Sequence, residues 1–234
     1  GLVVGLALTA AMFWLLLNPL SIGSAANIVP VEQSVGEAET AELDLSMSSG
    51  KLVLSGETEP SQLVSGEASL HSGEEIYSNY SMQGKKGIFR IGGEDITGYI
   101  NSSNTPGLDL DVNAIIPLTI YTEVNFGEQD IDLRGLQVDR FNLSQSVGQV
   151  VLTLPSDVLY HGSVTIPVGD LTIEVPAGSK VRIALDKGIT VLSYPSGYIR
   201  QGDIITSPGT GSEGEVPTLQ VSVPVGMIRV VEVP

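Results

Sequence analysis

No cysteine occurs in the 234 residues, which excludes disulfides, thiolate chemistry and cysteine-ligated zinc. Cations are scarce: 11 Lys and Arg stand against 27 Asp and Glu, a formal net charge of −16. That imbalance excludes a nucleic-acid partner, because a phosphate backbone is held by clustered Lys and Arg. Aromatic residues make up only 5%, and the two histidines, His71 and His161, each stand beside Ser or Gly in turn-like sequence. A Ser-His-Asp device needs a base held against a nucleophile, and no GxSxG elbow accompanies either histidine. The expectation is therefore a chain that is not an enzyme, with no catalytic residue, no cofactor and no metal. What is plentiful is Gly (27) and Pro (13) on a chain that is 42% hydrophobic, a mix that suits short strands and tight turns around a real core.

One long apolar run exists. Residues Gly1 to Gly23 carry no charge, and Leu2 to Leu17 is almost wholly apolar. About 20 apolar residues at 1.5 Å rise cross a hydrocarbon core of roughly 30 Å. Trp14 and Asn18-Pro19 near its far end suit an interface and a helix stop. Residues 1–22 are thus read as one transmembrane helix; a cleaved signal ending at Ser24-Ala25-Ala26 is the alternative. The small residues Gly1, Gly5, Ala7, Ala10 and Ala11 would let a neighbouring helix approach closely. The first cation after the run is Lys51, behind five carboxylates, so the bulk is expected on the extracytoplasmic side of a bacterial cytoplasmic membrane. Residues 23–40, small, acidic and carrying Pro30, read as a linker.

Residues 41–234 show alternation of period two instead of a helical period, as in Leu43-Asp44-Leu45, Ile131-Asp132-Leu133 and Leu171-Thr172-Ile173-Glu174-Val175. The strands repeat. Phe126-Gly127 before one strand, Val147-Gly148 before the next and Val168-Gly169 before a third are spaced 21 residues apart, and Gly188 follows 19 later. A fainter copy begins at Ser49-Gly50. Each unit reads as a strand, a corner glycine and a second strand. One unit cannot bury its apolar face alone, so units must stack. The expected fold is all-β, a single-stranded β-solenoid preceded by the transmembrane α-helix, with corners at Gly127, Gly148, Gly169 and Gly188. A β-sandwich with regular turns is the alternative. Strand-like runs at Leu219–Val223 and Met227–Val231 close the chain.

The stretch from Leu43 through Ser49-Gly50-Lys51-Leu52-Val53-Leu54 to Gly56 resembles the opening of the bacterial toastrack domain. The stretch from Asn113 through Pro117-Leu118-Thr119-Ile120 to Gly188 resembles its repeated body. The resemblance covers most of Thr40 to Arg200 and implies a β-solenoid-like, toastrack-like fold of the LiaF-like, LiaG-like and adhesin-like cell-envelope proteins, usually tied to a membrane segment. LiaF-like proteins usually carry several transmembrane helices, whereas one is visible here.

Three patterns invite chemistry. Gly209-Thr210-Gly211-Ser212-Glu213-Gly214 matches GxGxxG, but prolines flank it and a strand rather than a helix follows, so it reads as a loop. Asp109 and Asp111 share one strand face and could offer oxygens to calcium, which wants six to eight; alternating Asp on a solvent face is the commoner pattern. Lys85, Lys86 and Arg90 form the only basic cluster, either a solvated hairpin turn or a candidate docking turn for an acidic partner or lipid headgroups.

With no chemistry in view, the expected role is a membrane-anchored, non-catalytic scaffold or accessory subunit whose extracytoplasmic domain makes protein–protein contacts. Its partners would be other membrane-protein subunits and, through residues 1–22, the lipid bilayer; a homo-oligomer fits as well. The alternative is a cell-envelope stress-response or adhesin-like binding module.

Overall fold

The computed structural model describes residues 27–56, 58–71, 74–93, 107–156, 159–210 and 216–234. The expected transmembrane helix, with Gly1, Gly5, Ala7, Ala10 and Ala11, lies outside them. Among the described residues every regular element is a strand, and no helix is long and apolar enough to cross a membrane.

The organising units are long strands bent once. They are β2 (Thr40–Ser55), β7 (Leu118–Asp132), β8 (Val138–Thr153) and β14 (Thr218–Val233), together with the split pair β9 (His161–Thr165) and β10 (Val168–Pro176). They stack parallel and in register, first half on first half and second half on second half. Two arms result, meeting at a shared corner with the core between them. Along the second arm, Leu54, Ile131, Leu152, Ile173 and Val230 form one inward row across neighbouring strands, all buried. The first arm supplies Leu43, Ile120, Phe141, Gly162, Leu219 and Ile183 in another. Gly162 is small for a reason. Its Cβ would stand 2.2 Å from the Phe141 ring, which fills that space and packs at 5.5 Å against Tyr160. Burial pushes the Tyr160 phenol above its ordinary pKa, which keeps the ring neutral inside the core.

At one end the stack is closed by β5 (Lys86–Gly93) and β6 (Gly107–Val112), lying parallel on the two halves of β2. Antiparallel strands cover these in turn: β4 (Tyr77–Gln83) on β5, β3 (Gln62–Leu70) on β6, and β1 (Asn27–Ser34) on β3. At the other end lies β11 (Arg182–Ser193). β13 (Ile204–Thr206) pairs with its first three residues, and β12 (Ile199–Gln201) pairs with β13.

Two sequence expectations change. Residues Asn27–Ser34, inside the stretch expected as a linker, form β1, because Val29 and Val31 find an apolar partner surface when the strand pairs with β3. Stacking order also departs from chain order. A solenoid wound strictly in sequence would set β11 on β10, yet β14 lies between them, and β2 lies between the β5/β6 layer and β7. The last strand is apolar on its inward face from Leu219 to Val230, and only a place inside the stack buries that face on both sides.

Candidate functional site

The corner is built by glycine. Gly50, Gly127, Gly148, Gly169 and Gly226 pair directly with one another across β2, β7, β8, β10 and β14, forming one column. Each has a φ between 131° and 155°, a backbone region that L side chains rarely adopt. The inward face changes parity across the column: Met47 and Leu52, Val124 and Gln129, Gln145 and Val150, Ile166 and Leu171, Val223 and Ile228 are buried, each pair five positions apart. An even step would continue a straight strand; an odd one requires the chain to reverse its facing at the glycine.

That reversal pushes the residue before four of the five glycines outward, while Ser49, before Gly50, stays buried. Phe126, Val147, Val168 and Val225 are 51%, 42%, 47% and 45% exposed, and Ile189 on β11, paired with Val225, is 86% exposed. They pair in one register line, Phe126 with Val147, Val147 with Val168, Val168 with Val225. Five strands at about 4.8 Å make an apolar ridge roughly 19 Å long. A scattered exposed valine needs no explanation, whereas a contiguous row of them does.

The ridge is held from behind. Thr122 Oγ1 donates to Gln129 Oε1, and Gln129 Nε2 donates to Ser144 O at 2.8 Å and to Gln145 Oε1 at 3.0 Å. Gln145 Nε2 donates to the carbonyl of Val147 at 2.9 Å and to that of Gly127 at 3.3 Å. These side chains are buried, so the network fixes the corner carbonyls beneath Phe126 and Val147 without help from water.

Of the expected corners, Gly127, Gly148 and Gly169 stand in the column. Gly188 does not. It lies opposite Pro224, two positions short of Gly226, which takes the fifth place because β14 intervenes between β10 and β11. The signal for Gly226 was present in the dipeptide Val225-Gly226, which matches Val147-Gly148 and Val168-Gly169. The parity change that exposes the ridge had no such local sign.

The basic turn is accounted for internally. Lys85 pairs with Glu39, Lys86 with Glu42 at 2.5 Å and Arg90 with Asp44 at 3.4 Å, so each cation faces a carboxylate on β2 or just before it. Exposed pairs of this kind contribute little. Lys85→Ala and Arg90→Ala are each expected to shift stability by less than about 1 kcal/mol, read from urea denaturation midpoints. Asp109 is exposed, and Asp111 accepts a hydrogen bond from Ser55 Oγ. Among the described residues no three acidic or histidine side chains gather to hold a metal ion. His161 is exposed at the start of β9, and the His71 amide donates to Glu74 Oε2 at 2.6 Å. Gly209 and Thr210 lie in a turn, and the rest of the GxGxxG stretch falls outside the described residues.

The outer face of the first arm carries a shallow, open recess lined by Tyr121, Arg140, Asn142, His161, Ser163 and Gln220.

A family model described as the N-terminal domain of toast_rack, DUF2154, matches residues 21–174. The crystal structure of a candidate cell adhesion protein from Clostridium sporogenes ATCC 15579 gives a TM-score of 0.81 at 23% identity, covering 89% of this chain and 100% of that one. A candidate adhesin from Bacteroides fragilis NCTC 9343 is 9% identical with a TM-score of 0.31, over 89% of this chain and 99% of its own. One from Parabacteroides merdae ATCC 43184 is 10% identical with a TM-score of 0.26, over 88% and 96%. The shared fold rests on the first of these. No curated protein matches.

Proposed function

Because the chain belongs to the toast-rack family, we propose that it is a non-catalytic, membrane-anchored binding module whose β-solenoid-like body makes protein–protein contacts outside the cytoplasmic membrane. The observation that carries this reading is the ridge from Phe126 to Ile189, an apolar line held rigid by the buried Gln129 and Gln145. A pre-organised apolar line loses little entropy when a partner covers it, and covering it removes several half-exposed side chains from water. The apolar stretch from Leu2 to Leu17 supports the anchor, and the lack of Lys and Arg between it and Lys51 supports an extracytoplasmic position. Partner subunits in the same membrane are the natural occupants for a module fixed there.

A second reading, an adhesin-like module for a surface ligand, draws on the polar recess around Arg140 and His161, whose cationic and amide groups suit an acidic ligand. One experiment separates the two. Full-length protein is extracted gently from native membranes, with and without Phe126→Ser, Val147→Ser and Val168→Ser combined. The expected result is a stoichiometric complex for the native chain and its loss in the triple variant, with the circular dichroism spectrum unchanged. Retention of the complex in the triple variant contradicts the ridge. A native chain that runs alone contradicts the scaffold role and moves the adhesin-like reading forward.

A further inference from the structure

The second half of β11 is an open edge. β14 pairs with it along Ile189–Ser193, but β13 covers only Arg182–Ala184, and among the described residues no strand lies on the far side of Ile189–Ser193. A row of backbone donors and acceptors there is a template for another strand. Other outer strands carry blunting devices: β1 has Pro30 and Glu32, β12 is three residues long with Arg200, and β4 is mostly polar. Ile189-Thr190-Val191-Leu192-Ser193 has no charge and no proline, and its residues favour strands.

Two further observations select the occupant. Among the described residues, five of the fourteen exposed large hydrophobic side chains fall between positions 189 and 204, namely Ile189 (86%), Val191 (65%), Tyr194, Ile199 and Ile204. Charge is also segregated. Residues 180–210, which form β11, β12 and β13 at this end, carry four Lys or Arg and two Asp or Glu, whereas residues 1–179 carry six and twenty-two. This end is apolar and free of the acidic excess through which the rest of the chain repels its own copies. We infer that the β11 edge pairs antiparallel with the same edge of a second copy of this chain, forming a two-fold dimer. The pairing is self-complementary: with the axis at Val191, each Val191 faces its counterpart and Ile189 faces Ser193. The two sheets then continue through the interface, and the apolar side chains at positions 189 and 191 of both copies cover one another. This dimer shares only Ile189 with the ridge, at its end, and its test reads a contact between two copies whatever covers Phe126 to Val225.

Because the chain lacks cysteine, one introduced thiol reports on one contact. Opposed residues of an antiparallel pair have Cα atoms about 4.5–5.5 Å apart, within the range a disulfide spans. Full-length protein in native membranes, carrying Val191→Cys or Glu128→Cys, is treated with copper phenanthroline. Glu128 lies in the same register line, mid-stack and exposed, and serves as the control. Most of the Val191→Cys chain is expected to become a disulfide-linked homodimer, and the Glu128→Cys chain to stay single. In detergent, the native chain is expected to sediment as a dimer and Val191→Lys as a monomer with an unchanged circular dichroism spectrum. A native chain that sediments as a monomer overturns the proposal. So does a Val191→Cys chain that stays single or links to a different protein, and so does a Val191→Lys dimer.

Discussion

Alanine at Gly148 is expected to cost more than about 4 kcal/mol, a large part of the 5–15 kcal/mol that holds a typical domain together. The added Cβ would stand 1.9 Å from the carbonyl oxygen of Gly127, inside any tolerable contact. The atom it meets is backbone, fixed by parallel pairing on both sides, so no side chain can swing away. Strain is added to collision, since Gly148 sits at a φ of 145°. Relief is blocked along the whole column, because Gly169 repeats the same approach to Gly148, at 2.0 Å, on the next strand. Gly135 is the control. It too has a positive φ, 72°, but a Cβ there would meet nothing within 4 Å, so Gly135→Ala should cost only about 1–2 kcal/mol of backbone strain. Denaturation followed by circular dichroism reads the difference. A Gly148→Ala protein as stable as Gly135→Ala would mean that the strands do not stack in this register.

The second large effect belongs to Asn113, 1% exposed in the connection from β6 to β7. Its Nδ2 donates to the carbonyls of Pro60 at 3.0 Å and Gln62 at 2.7 Å, while its Oδ1 accepts from the amides of Ile115 at 2.8 Å and Ile116 at 3.2 Å. One side chain thereby ties the β6–β7 connection to the turn before β3. Asn113→Leu keeps the volume roughly but strands two carbonyls and two amides, at about 1–3 kcal/mol for each group left unsatisfied. A loss of about 4 kcal/mol or more is expected. Asn113→Asp tests the donors alone. Its carboxylate would face two carbonyl oxygens, which raises its folded pKa above the ordinary value of about 3.9. The folded state then binds the proton more tightly than the unfolded state. The variant should therefore be closest to native stability at low pH and lose stability as pH rises through the folded pKa. If Asn113→Leu lies within about 1 kcal/mol of the native protein, the hydrogen bonds do not hold the connection.

What the sequence discloses follows from how local each signal is. Period-two alternation marks the arms, because the face of a strand is decided by its own neighbours two residues away. The dipeptides Phe126-Gly127, Val147-Gly148 and Val168-Gly169 mark the column, because a positive φ against a backbone oxygen admits only glycine. Gly188 follows at 19 residues instead of 21 and stands off the column, since its position depends on β14, whose Gly226 lies 57 residues beyond Gly169. Long-range insertion leaves no mark in a local window. The basic turn shows the same limit: Lys86 and Glu42 are 44 residues apart in sequence and meet only when β5 lies on β2. The ridge residues are visible as letters of the repeat, but their exposure comes from the parity change at each corner. The family match ends at residue 174, yet β14, far outside it, completes the same column, so the chain beyond the match is part of one sheet.

The most direct test of the binding role places a photo-reactive phenylalanine analogue at Val147, within the ridge, or at Asn142, exposed on the other arm of the same strand. Full-length protein in native membranes is illuminated and the products are identified by mass spectrometry. The account predicts that Val147 captures one defined membrane protein, the same one that co-migrates on gentle extraction, and that Asn142 does not. Capture from Asn142 but not from Val147, or no protein capture from either, would contradict it.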